Sequence, residues 1–198
     1  MHACERSAAA LALLAMAATT AVATPLGRMD PAASAPAGLM QFGRLVGAWT
    51  CTGQSRQPDG SWKATAGRHA WHWYYVLDGH AVADVWRPDR EAQPDAAEGI
   101  NLRTYDAASN QWDIVWATRT QPRLDRFKGA ERDGNMHLFA ERAGSGEFGP
   151  HLMRITFFNI GPRHFDWKYE ASAPTDSPQW REVQRLSCER DGRVAPDS

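Results

Sequence analysis

Asp84 stands two residues after Val82 and two before Trp86 in an alternating run, so the three share one face of a strand. A carboxylate on an apolar face needs a cation or a donor beside it. Without one its pKa rises and it becomes an acid–base group. Arg103 and Arg154 are the candidate partners. Asp84 with Arg103 is the pair the sequence offers for catalysis, as a general acid or base beside a cation. The competing expectation is an ion pair that only holds the fold. Glu170 falls on the less aromatic face of its segment and reads as solvent-facing.

Other chemistry finds little support. No glycine-rich loop is spaced to cradle a phosphate. Gly144-Ser145-Gly146 lacks the G-x-S-x-G spacing of a serine-hydrolase elbow. No Cys-x-x-Cys pair exists for zinc. His69 and His72 are three apart, which on a strand places them on opposite faces. No metal site and no cofactor are therefore expected.

Aromatic residues form the larger pattern. Trp71, Trp73, Tyr75 and Leu77 alternate onto one face, opposite His72 and Tyr74. Trp112, Ile114 and Trp116 align in the same way, as do Phe165, Trp167 and Tyr169. Nine tryptophans in one chain need a large apolar interior, a binding cavity, or both. Faces of this kind suit a pocket for an apolar ligand, with Trp71, Trp73, Tyr75, Trp86, Trp112, Trp116 and Trp167 as its contacts.

The elements that carry these residues are short and extended. Alternating segments span 49–56, 62–77, 80–87, 99–105, 111–119, 126–130, 135–142, 152–158, 164–172 and 180–189. The Asp-Gly pairs at 59–60, 78–79 and 133–134, with Gly149-Pro150 and Gly161-Pro162, punctuate them. About ten sequential strands joined by short loops predict an all-β, antiparallel up-and-down barrel or a sandwich. Before them, Leu39, Phe42, Leu45 and Val46 recur near helical spacing and predict a short helical turn.

The N-terminus reads differently. Arg6 precedes the apolar run 8–18, and Ala21-Val22-Ala23 closes it with a small-x-small pattern. This is the layout of a secretory signal peptide over 1–23, too short for a membrane span. Cys4 lies ahead of the apolar run, where a lipoprotein cysteine does not belong. Residues 24–38, rich in Pro, Ala and Ser, read as a flexible linker. The folded domain is then expected over 39–192, with a disordered tail over 193–198. Export would place the chain in the periplasm or outside the cell.

Removing the signal leaves Cys51 and Cys188, near the two ends of the domain, and an oxidising compartment invites their disulfide. The formal net charge of −1 and pI of about 6.6 argue against a nucleic-acid partner, whose electrostatic footprint is basic.

Gly47-x-Trp49 after a short helical turn resembles the signature of lipocalins and the wider calycin group. That resemblance implies a closed barrel in which Trp49 plugs the floor and an arginine late in the last strand, Arg185 or Arg190, packs on it. The run from Leu77-x-Gly79 through Ala81 and Asp84 to Trp86 resembles a segment of a bacterial lipocalin-like domain family of unknown function (DUF1579-like). Arg103-x-Tyr105-Asp106, Trp112-x-x-x-Trp116 and Phe165-x-Trp167-x-x-Glu170-x-Ser172, with Trp180 after it, resemble its later motifs in the same order. In a closed barrel the first and last strands are neighbours, so this reading implies the Cys51–Cys188 pair. Some barrels of this kind hold haem through one histidine, but no spacing among His80, His137, His151 and His164 selects one.

Three functions follow as expectations. The first is an exported protein that binds a small apolar or amphipathic ligand in the barrel. The second is an isomerase, cyclase or hydratase working through Asp84 and Arg103. The third is an envelope accessory module with a filled barrel.

Overall fold

A computed structural model describes residues 27–96, 98–140 and 151–192, with the backbone alone at 121–123. Residues 1–23, read from the sequence as a signal peptide, together with 24–26, Gly144-Ser145-Gly146, Gly149-Pro150 and 193–198, lie outside the described residues.

Alternation of apolar and polar side chains pairs eleven strands into one sheet. They are β1 (Gly47–Arg56), β2 (Trp62–Ala64), β3 (His69–Val76), β4 (Ala81–Arg87), β5 (Gly99–Asp106), β6 (Gln111–Thr118), β7 (Gln121–Arg132), β8 (Asn135–Ala140), β9 (Leu152–Phe158), β10 (His164–Ser172) and β11 (Arg181–Arg190). From β3 onward each strand pairs antiparallel with the next, and β11 returns to β1 with Cys51 opposite Cys188. β1 and β3–β11 thus close into a ten-stranded barrel. Full closure leaves no long unpaired edge. A disulfide joins Cys51 to Cys188 across the closing seam, and both residues are fully buried.

The segment expected as one strand over 62–77 is two. β3 pairs with the first half of β1, Gly47–Cys51, and β2 with its far end, Gln54–Arg56. Between them Gly67 takes φ +70°, which turns the chain away from extended geometry. Leu77 does not join the aromatic face of β3. It and Asp78 have left-handed φ of 51° and 53°, so the strand ends at Val76 and Leu77 is exposed. Asp133 and Gly134, both at positive φ, form the two-residue hairpin turn that joins β7 to β8.

One end of the barrel is sealed by a 3₁₀ turn (Ala37–Leu39) and the single-turn helix α1 (Met40–Gly43). Leu39, Phe42 and Leu45 are fully buried there, and the Phe42 ring meets Trp73, Trp112 and Phe157. Trp49 donates from Nε1 to the Leu45 carbonyl at 2.7 Å. The Arg190 guanidinium lies 4.2 Å over the Trp49 ring and donates to the Val46 (2.7 Å), Arg44 (2.9 Å) and Pro162 (2.7 Å) carbonyls. Arg185 is elsewhere: it stacks on Trp62 and donates to Gln54. The geometry also explains the Gly-x-Trp spacing. Gly47 holds φ +132°, and a Cβ there would collide with the Arg190 guanidinium.

Residues 27–38, read from composition as part of a linker, are docked on the barrel. Arg28 and Tyr75 exchange two backbone hydrogen bonds of 2.8 Å, and Ala32 N–H donates to the Gly79 carbonyl at 3.1 Å. Backbone pairing, which composition does not encode, holds this stretch in place.

Candidate functional site

Above the sealed floor the interior is open. A cavity of about 260 Å³ lies between the sheet walls, and no residue of α1 lines it. Trp71 of β3, Trp86 of β4, Trp116 of β6 and Trp167 of β10 line it, with Phe127, Leu138, Met153, Ile155, Phe157 and Leu186 from the strands between. Its polar wall consists of Asn101, Arg103, Tyr169 and Gln184.

Register explains which aromatics reach this space. Trp71 faces Trp86 across β3–β4, and Asn101 faces Trp116 across β5–β6. Trp73, Tyr75 and Trp112, expected as ligand contacts, share the inward face but sit lower and do not line the cavity. Trp73 packs on Phe42, Trp112 donates to Gln41 Oε1 at 2.8 Å, and the Tyr75 hydroxyl meets Met40 Sδ at 3.2 Å. Docking of the 37–43 cap against them turns three of the seven expected contacts into floor. Gly99 makes room for a fourth, because the Trp116 ring lies where its Cβ would be.

The structure brings Asp84 and Arg103 together at the base of the cavity. Asp84 is fully buried and accepts from Trp71 Nε1 at 2.7 Å and Asn101 Nδ2 at 3.0 Å on Oδ1, and from Arg103 on Oδ2. Three donors suit an ionised carboxylate and leave it little capacity to act on a substrate. Asp84 is also absent from the cavity wall, whereas Arg103 forms part of it. Arg103 is sandwiched by aromatics, 4.4 Å over Trp73 and 4.9 Å over Phe42, and its Nε–H is buried without a partner. Burial pulls the Arg103 pKa well down, yet a guanidinium facing a carboxylate stays charged.

Arg154, the other partner considered for Asp84, is on the outer face. It grips Glu170 with two hydrogen bonds of 2.9 and 2.8 Å, beneath Trp180 at 4.5 Å. Glu170 is therefore not solvent-facing. Arg154 and Lys168 both pair with it, and it is 7% exposed.

At the open end, Tyr169 shares a 2.6 Å hydrogen bond with His151. Burial, and then the Asp125 charge, push the tyrosine pKa up to about 12. His69 stacks on Trp86 and contacts Thr65 Oγ1 at 3.1 Å, while His72 belongs to the opposite face of β3. Among the described residues no histidine lines the cavity, and no group of three His, Cys, Asp or Glu could hold a metal ion.

Asn101, Gln184 and most of the aliphatic wall escaped the sequence reading, and Tyr169, aligned there with Phe165 and Trp167, was not counted among the contacts. Alternation on β9, where Met153, Ile155 and Phe157 interleave with Arg154 and Thr156, was the available signal.

No family model matches the chain, and no curated protein does. Solved structures of similar fold exist. The S-type phycobiliprotein lyase CpeS of Guillardia theta superposes with a TM-score of 0.51 at 10% identity, over 77% of this chain and 91% of that one. The M. tuberculosis protein Rv2717c gives a TM-score of 0.53 at 10% identity, over 80% and 99%. At this identity the likeness shows the fold alone, a closed antiparallel barrel. No helix among the described residues is long and apolar enough to cross a membrane.

Proposed function

We propose that this chain is an exported lipocalin-like protein, periplasmic or secreted, that binds a small apolar or amphipathic molecule inside its barrel without a cofactor. The observation that carries this reading is the cavity of about 260 Å³, sealed at one end, walled by four tryptophans and furnished with a few polar groups at its base. Binding pockets for small molecules have this composition, apolar walls with few oriented polar groups. Export is supported by the 1–23 segment and by the buried disulfide, which belongs to an oxidising compartment. Kinship with the bacterial lipocalin-like family of unknown function rests on the order of its motifs from Leu77 to Trp180. The fold neighbour CpeS is by name a lyase, and fold alone transfers no activity to this chain.

The uncharged fluorophore N-phenyl-1-naphthylamine tests the reading. Excited through tryptophan, the probe should gain emission on binding. Leu138→Trp, which fills the cavity from β8, should abolish that gain while the thermal transition stays in place. Equal binding by the filled variant would put the probe on the outside and sink the proposal.

A further inference from the structure

We infer that the cavity selects an uncharged molecule presenting a carbonyl oxygen, ketone or aldehyde, seated against Arg103 and Asn101 at its base with the apolar body among the tryptophans. This rests on the reading that the cavity is a binding site.

Two donors at the base call for an acceptor. Arg103 is 1% exposed, forms part of the cavity wall, and carries a buried Nε–H with no partner. A buried donor left unmatched is unfavourable enough that native sites pair it with protein, water or ligand. Asn101 also lines the wall. Its amide nitrogen carries two hydrogens, and the bond to Asp84 uses one.

Charge then separates the acceptor classes. Asp84 already faces Arg103, so the pair at the base is neutral. Arg103 is the only charged side chain lining the cavity among the described residues. A carboxylate brought to this depth would add an uncompensated charge away from water, which is strongly disfavoured. A carbonyl oxygen accepts the same hydrogen bonds without adding charge. The volume, about 260 Å³, falls below the roughly 300–1,000 Å³ common for drug-sized ligands. Trp71, Trp86, Trp116 and Trp167 offer ring faces and edges for stacking, so a compact ring system fits better than a long flexible chain.

Equilibrium dialysis of the full mature protein against three matched naphthalenes reads this directly: 2-acetylnaphthalene, 2-naphthoate and 2-ethylnaphthalene, each quantified by chromatography. The acetyl compound should bind at least tenfold more tightly than either of the others. Asp84→Asn removes the compensating charge, so naphthoate should gain at least tenfold over its wild-type affinity. The triple variant Asp84→Leu/Asn101→Leu/Arg103→Met, which removes both charges and both assigned donors together, should lose most of the acetyl compound's advantage over the ethyl compound. It keeps the test open if the single variant does not fold. Wild-type binding of naphthoate or ethylnaphthalene as tight as that of the ketone would overturn the head-group inference and leave the cavity reading standing. Failure of all three ligands to bind at millimolar concentration would overturn both.

Discussion

Removing Arg103 alone should damage this protein more than removing Arg103 and Asp84 together. Arg103→Met leaves the fully buried Asp84 carboxylate with Trp71 and Asn101 as donors and no cation. Breaking a buried pair in this way costs about 3–5 kcal/mol. At roughly 2–4 °C per kcal/mol for a domain of this size, the transition should fall by about 6–20 °C. The double change Asp84→Leu/Arg103→Met removes both charges. Replacing a buried ion pair by apolar residues is neutral or stabilising by about 1–4 kcal/mol. Against this, the Trp71 and Asn101 donors lose their acceptor, at about 1–3 kcal/mol each. The two terms leave the double variant near or modestly below wild type and above the single variant. Urea unfolding followed by tryptophan fluorescence, run on wild type, both singles and the double, closes the cycle. Additive effects within about 0.5 kcal/mol would show that the two groups do not sense each other, and the charge argument at the cavity base would fall with them.

Four further outcomes follow from other parts of the chain. The Cys51–Cys188 bridge spans 137 residues of sequence, so its loss as Cys51→Ser/Cys188→Ser should cost up to about 5 kcal/mol by the chain-entropy account. An intact mass two hydrogens light with Thr24 at the N-terminus would support both bridge and export, and a mass that retains residues 1–23 would refute the signal assignment. His69, whose pKa is lowered by burial against a smaller opposing pull from Asp89, binds its proton less readily folded than unfolded. The contribution of His69 to stability should therefore decline as pH falls below about 6.5. His69→Gln should flatten that part of the stability–pH curve, and an unchanged slope would refute the assignment. Gly47→Ala forces a side chain onto φ +132° and into the Arg190 guanidinium, so it should destabilise by more than the roughly 0.4–1 kcal/mol that the same change gains at a compatible backbone position. A wild-type melting temperature for that variant would contradict the floor geometry.

Strand identity and inward faces were legible because a β-strand has a strict two-residue period, and that period places Trp71, Trp86, Trp116 and Trp167 on one side without tertiary knowledge. Depth along the barrel was not legible. Trp71 and Trp73 are indistinguishable by alternation, yet one lines the cavity and the other is roofed by Phe42. Their difference is set by where a cap some thirty residues earlier docks, a non-local contact with no local pattern. The break between β2 and β3 and the docked stretch at 27–38 escaped for a related reason. Each depends on backbone φ or backbone pairing rather than on side-chain type.

Polar residues on the inward faces separate the two kinds of information most clearly. Alternation puts Asp84 on an apolar face with Val82 and Trp86, which marks it as unusual. On β5, however, it is Ile100 and Leu102 that form the apolar face and point outward, so nothing in the local pattern marks Asn101 and Arg103 as inward. Register then decides what they become. Because β4 and β5 pair with Asp84 opposite Asn101, the arginine two residues further on reaches back to the carboxylate along the diagonal. A slip of one residue in that register would turn Asp84 and Arg103 to opposite faces and leave a charged residue stranded in an aromatic interior. The pair thus specifies register at the same place where it forms the polar base of the cavity. A protein that needed only a filled barrel could reach that base with leucine and methionine at lower electrostatic cost. Retaining a buried guanidinium with an unmatched Nε–H on the cavity wall makes physical sense where something with an oxygen atom comes to sit beside it.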